Sequence, residues 1–166
     1  MVRPNRGAMI NNGLFTSEKK DWRTPSALVK DLATVFKWNL DVCASEPNVC
    51  QRFFNSAQNG LVQEWTGLCW MNPPYGRQIG RWMAKALESS LMGATIVCLP
   101  PARTDTRWWH ATVPKAQLVV FIKGRLHFND AGSAPFPSAF VVFGELNPLQ
   151  RQTLCSYGWA PHSQKA

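Results

Sequence analysis

The chain contains no Cys-x-x-C pair, no G-x-G-x-x-G run and no apolar stretch long enough to span a bilayer. Histidines number only 3 and cysteines 5, an odd count that argues against a disulfide framework. Cys43, Cys69 and Cys98 sit inside apolar runs, where free thiols behave as small hydrophobes. These absences predict a reduced, cytoplasmic protein with no metal site, no membrane span and no secretory leader. Acidic residues are also scarce, 10 against 18 Lys and Arg, for a net charge of +8. What is abundant is tryptophan, at 8 residues in 166. A basic, aromatic-rich surface suits a polyanion with stackable bases, although charge by itself also fits a merely basic soluble protein.

The most informative stretch is Trp70-Met71-Asn72-Pro73-Pro74-Tyr75-Gly76. Leu68-Cys69-Trp70-Met71 reads as a buried strand that stops at two prolines, which cannot continue a ladder. Each proline also pushes the residue before it out of the helical region. The result is a stiff turn at a strand's carboxyl end, where open α/β sheets bind ligands. Asn72 offers a side-chain carbonyl, and Pro73 and Pro74 offer carbonyls without N–H groups. A turn rich in acceptors and poor in donors suits an exocyclic amine. Tyr75 adds a flat ring for a planar base. The plain alternative is a tight turn whose Asn caps its own backbone.

The rest of the chain alternates strands and helices. Residues 1–20 lack periodicity and read as a loose arm. Thr24 and Pro25 open a helix as cap and first-turn proline, with Leu28, Leu32, Val35 and Phe36 on its inner face. The start of that helix also has N–H groups free for a carboxylate. Trp38 to Ser45 reads as a buried strand ending in small residues, with Asp41 near its end as either a cofactor-facing charge or a turn cap. Residues 48–58 fit a short helix, and Asn59-Gly60-Leu61 a turn. A helix over Ile79 to Leu91 places Ile79, Met83, Ala86, Leu87 and Leu91 inward, with Arg77, Arg81 and Lys85 outside that face and the first two left to phosphate or to solvent. After a strand at Ala94 to Leu99, Thr104 or Asp105 caps a short helix carrying Trp108, Trp109 and a structural His110. Arginines and tryptophans there suit phosphates and stacked bases. Strands at Gln117 to Ile122 and Ser138 to Phe143 pair like a hairpin, a helix follows at Pro148 to Cys155, and residues 159–166 fray. The expected organisation is one α/β domain over residues 21–158.

In that order, several segments resemble the bacteriophage-type Dam family, the S-adenosylmethionine-dependent DNA N6-adenine methyltransferases. They are Asp21-Trp22-Arg23-Thr24-Pro25, Leu40-Asp41-Val42-Cys43-Ala44-Ser45, Asn72-Pro73-Pro74-Tyr75-Gly76, Pro101-Ala102-Arg103-Thr104-Asp105-Thr106, Gly124-Arg125-Leu126-His127-Phe128 and Ala134-Pro135-Phe136-Pro137-Ser138. The proline-tyrosine turn marks amino-methyltransferases generally, and the arginine-threonine-aspartate and proline-phenylalanine-proline-serine segments narrow the match.

The resemblance implies a single compact domain built on the Rossmann-like methyltransferase sheet. It implies that Thr24, Pro25, Asp41, Cys43, Ala44 and Asn59 hold S-adenosylmethionine, and that Asn72, Pro73, Pro74 and Tyr75 receive an adenine flipped out of double-stranded DNA. Asn59 stands where the family pattern leads us to expect an acid; an amide oxygen still accepts a hydrogen bond there, but without charge. Arg77, Arg103, Thr104, Trp108 and Arg125 are the expected DNA contacts. The same turn also serves cytosine N4 or a protein glutamine, and a silent DNA-binding module on the same fold is a further alternative. A phage or prophage origin, acting within a bacterial cytoplasm in restriction protection or regulation, completes the expectation.

Overall fold

Leu68–Met71 forms strand β2, four residues that end where Pro73 and Pro74 forbid further pairing. The structure, a computed structural model, describes residues 23–128 and 133–161. The expected arm at 1–20 and the tail from residue 162 lie outside the described residues.

Among the described residues, six strands make one mixed sheet in the order β1-β2-β3-β5-β4-β6. β1 (Leu40–Asp41), β2 and β3 (Thr95–Cys98) run parallel. β5 (Ala139–Phe143) is inserted antiparallel between β3 and β4 (Leu118–Ile122). The expected hairpin-like pairing of the last two long strands is therefore present, and β5 also closes the gap to β3. β6 (Gly158–Trp159) pairs with β4 and extends the sheet into the stretch expected to fray.

Helix α2 (Ile79–Leu91) has the bounds that the spacing predicts. Ile79, Trp82, Met83 and Ala86 are buried, because they recur every three or four residues on one face. Leu91 is 81% exposed, so it is not part of the inner face as expected, whereas Ser89 in the same turn is buried. Helix α4 (Pro148–Cys155) also forms as read. Asn147 accepts from the Gln150 N–H at 2.8 Å while Gln150 accepts from the Asn147 N–H at 3.0 Å, a reciprocal cap.

Helices α1 (Ser26–Ala33) and α3 (Arg107–Thr112) start differently from expectation. Pro25, not Thr24, sits at the cap of α1, because the Thr24 hydroxyl is committed elsewhere. Thr106 takes the cap position of α3 in place of Thr104 or Asp105, and its hydroxyl donates to the Arg103 carbonyl at 2.8 Å. The expected helix at 48–58 is absent. Its backbone instead reaches across to β1, with the Asp41 N–H donating to the Arg52 carbonyl and the Phe54 N–H to the Asp41 carbonyl, both at 3.0 Å. Phe53 and Phe54 suit such an extended edge.

Both faces of the sheet are covered. On one, Phe36, Trp38, Trp70, Phe140 and Tyr157 form a continuous row of ring contacts. On the other, Trp109 of α3 stacks on Phe121 of β4 at 6.1 Å. No helix among the described residues is long and apolar enough to cross a membrane. The carboxyl ends of the three parallel strands share one edge of the sheet, so the segments after β1, β2 and β3 converge there.

Candidate active site

The turn after β2 is held from three sides. The Asn72 amide nitrogen donates to the Thr24 hydroxyl at 3.3 Å, and the Trp70 indole N–H donates to the same oxygen at 3.1 Å. The Tyr75 hydroxyl lies 3.1 Å from the Asn72 side-chain oxygen and 3.0 Å from the Leu99 carbonyl. The Cys43 thiol donates to the Asn72 backbone carbonyl at 3.1 Å. These links fix the amide's orientation, with its oxygen on the side of Tyr75 and its nitrogen on the side of Thr24.

Tyr75 does not project from the tip of the turn as an open platform. It is 7% exposed, with Phe128 and Phe136 edge-on to its ring at 6.4 and 5.1 Å. The large apolar ring drives it inward, and two carbonyl-type acceptors make burial of its hydroxyl tolerable. Burial also pushes the phenol far above its ordinary pKa, so it remains a donor. One part of Tyr75 still borders open space, in the cleft described next.

That cleft has a volume of about 1230 Å³ and runs along the carboxyl edge of the sheet. The turn contributes Pro74, Tyr75, Gly76 and Arg77; the segment after β1 contributes Cys43, Ala44 and Ser45. Gly60 explains how a further loop comes close. A Cβ there would lie 2.1 Å from the Val42 carbonyl and 3.2 Å from the Trp82 ring, so only glycine fits. Among the described residues, Arg77 and Arg103 are the charged side chains lining the cleft, and no carboxylate lines it. A smaller pocket of about 30 Å³ adjoins it through Cys43, Ala44 and Ser45, and is lined also by Thr24, Asp41 and Asn72.

Asp41 is 4% exposed and accepts from the Cys43 N–H at 3.2 Å. Burial raises its carboxyl from 3.8 to about 7, against the lowering effect of that hydrogen bond. Asp41 thus caps the turn and also borders the small pocket.

Of the residues singled out from sequence, Cys43, Ala44, Asn59, Pro74, Tyr75, Arg77, Arg103 and Trp108 line the cleft. Thr24, Asp41 and Asn72 border the small pocket. Pro25, Pro73, Thr104 and Arg125 line neither. Pro73 is buried, whereas Thr104 and Arg125 are exposed. Sequence reasoning passed over Trp82, Phe136 and Thr106 as cleft residues. Trp82 is absent from the inner face expected for α2, although it follows Ile79 by three residues and is buried, a spacing that could have found it. Among the described residues no group of at least three metal-ligating side chains gathers.

A family model described as DNA N-6-adenine-methyltransferase (Dam) matches residues 12–140. The DNA N-6-adenine-methyltransferase of Haemophilus phage HP1 is 34% identical over 118 residues, which are 69% of this chain and 68% of that protein. The DNA N-6-adenine-methyltransferase of Escherichia phage T1 is 32% identical over 109 residues, 63% of this chain and 45% of that protein. The names of both relatives specify adenine N6 rather than cytosine N4 or a glutamine. The chain belongs to the Dam family of DNA N-6-adenine-methyltransferase enzymes.

Proposed function

We propose that this chain transfers a methyl group from S-adenosylmethionine to N6 of an adenine rotated out of double-stranded DNA, on a Rossmann-like methyltransferase sheet. The observation that carries the reading is the Thr24–Asn72–Tyr75 hydrogen-bond chain at the end of β2, bordering a cleft that reaches the end of β1. The cleft is larger than an ordinary single-ligand site of roughly 300–1,000 Å³, and so has room for a nucleoside cofactor together with a base. Small side chains at Cys43, Ala44 and Ser45 and the close approach at Gly60 suit a cofactor lying against backbone.

When bound, S-adenosylmethionine supplies an electrophilic methyl group for direct displacement by the adenine nitrogen. Cys43, Ala44 and Asn59 would line its place, with Thr24 and Asp41 at the adjoining pocket. Pro25 contributes only by starting α1 beside Thr24. Asn72 and a proline carbonyl of the turn, whose Pro74 lines the cleft, accept the two N6 hydrogens, which turns the nitrogen lone pair outward. As the base enters, the Tyr75 hydroxyl gives its hydrogen bond to Leu99 and releases the Asn72 oxygen. Tyr75 and Phe136 border the place of the base, while Arg77 and Arg103 face phosphate. Positioning does most of the work, as effective molarities of about 10⁵ M or more allow. The excess proton on the methylated amine is acidic and passes to water, so no general base is required.

The relatives are phage proteins, and we place this activity in the cytoplasm of a bacterial host. The test is incubation with S-adenosylmethionine and duplex DNA, followed by mass analysis of the nucleosides. N6-methyladenine is expected. N4-methylcytosine, or no methylated base at all, overturns the reading.

A further inference from the structure

The loop before the Gly60–Val62 turn holds two asparagines that line the cleft. Asn55 is committed. Its side-chain oxygen accepts from the Gln58 N–H at 3.0 Å, and its own N–H donates to the Gln58 side chain at 3.0 Å. The Asn59 amide, by contrast, makes no hydrogen bond to any described residue. It is presented by a left-handed backbone, φ 51°, one residue before a glycine pressed against the Trp82 ring. Leu61, Ile79 and Trp82 also line the cleft, and among the described residues no carboxylate does. An apolar wall with the uncommitted Asn59 amide on its edge is a site for a flat heterocycle that carries a donor and an acceptor side by side.

We propose that Asn59 reads the Watson–Crick edge of the cofactor's purine, and that its amide lets the site accept 6-oxo as well as 6-amino purines. This rests on the cofactor reading above and adds the base selectivity of its nucleoside site. An adenine edge offers an N6–H donor beside the N1 acceptor. The amide oxygen takes the first and the amide nitrogen serves the second. A hypoxanthine edge reverses the pattern, with O6 accepting and N1–H donating. A half-turn of the amide about its terminal torsion matches that equally well. A carboxylate has only acceptors, so it satisfies the adenine amine and repels O6.

The experiment is titration calorimetry at pH 7 with 5′-methylthioadenosine and 5′-methylthioinosine on wild type, Asn59→Asp and Asn59→Gly, with S-adenosylhomocysteine as reference. Glycine removes the amide and keeps the left-handed backbone without strain. Wild type should bind the two nucleosides within about threefold of each other. Asn59→Asp should favour the adenine form by about tenfold or more, the difference expected of a charge-assisted bond against a repulsion. Asn59→Gly should weaken both by about three- to tenfold. Wild type rejecting the inosine form tenfold, or Asn59→Gly binding both as wild type does, overturns the proposal while S-adenosylhomocysteine still binds. Failure of all three compounds to bind wild type removes the cofactor reading and this proposal with it.

Discussion

The hydroxyl of Tyr75 donates to the side-chain oxygen of Asn72 across 3.1 Å, and the amide nitrogen of Asn72 donates in turn to Thr24. On the proposed reading, the acceptor for the target amine is thereby aimed before any substrate arrives. Asn72→Ala removes that acceptor, and turnover should fall by about 10²–10³-fold, the loss typical of a preorganised polar group in a reaction centre. Tyr75→Phe keeps the ring between Phe128 and Phe136 and should cost about 1 kcal/mol of stability with most turnover retained. Tyr75→Ala also empties a buried ring site and should cost about 3–5 kcal/mol. Rates from labelled methyl transfer and melting curves on the same three variants separate positioning from packing.

Asp41 makes stability depend on pH. Its folded carboxyl titrates near 7, above the ordinary value of 3.8, because burial disfavours the charge. Between those values the folded chain holds a proton that the unfolded chain has released. Stability therefore falls as pH rises from about 4 to 7 and levels off above that, by a few kcal/mol in all. Asp41→Asn keeps an acceptor for the Cys43 N–H and should flatten this part of the curve. Denaturant midpoints of both proteins across that range are the measurement. A wild-type midpoint that climbs over the window, with Asp41→Asn following it, would rule out the buried protonated carboxyl.

Gly60→Ala should be more damaging than a surface substitution. Its Cβ meets the Val42 carbonyl, which is backbone and cannot rotate away. A cost of about 1–3 kcal/mol follows, or roughly 2–10 °C in melting temperature. Binding of S-adenosylhomocysteine should weaken in parallel, because the displaced loop forms the cleft wall. Calorimetry beside the thermal melt checks both.

Arg103 lines the cleft, whereas Arg125 is exposed and lines neither pocket. If Arg103 neutralises one phosphate, Arg103→Ala lowers DNA affinity and reduces the slope of log K against log salt by about 1. Arg125→Ala measures whether the footprint extends past the cleft. DNA titrations at several salt concentrations distinguish the two. An unchanged slope for Arg103→Ala takes that residue out of the interface.

Much of the frame was legible because its signals are local. The bounds of α2 and α4 follow from apolar spacing and from a cap within four residues. The helix expected at 48–58 does not form. Backbone pairing with Asp41 overrode it, and such pairing leaves no mark within the segment itself. Thr24 was read as a cap by the same logic, although its hydroxyl serves Trp70 and Asn72, 46 and 48 residues away.

The sequence by itself determined that β2 must end at Asn72 in a turn of acceptors, because proline has no N–H and cannot extend a ladder. It also determined the family, through short segments kept in order. Only the tertiary structure decided that Tyr75 turns inward to Asn72 and Leu99, that β5 slides between β3 and β4, and that Asn59 stands uncommitted on the edge of the cleft wall. Those outcomes depend on how separate elements dock and bury surface against one another, and docking is a property of the whole chain rather than of any stretch within it.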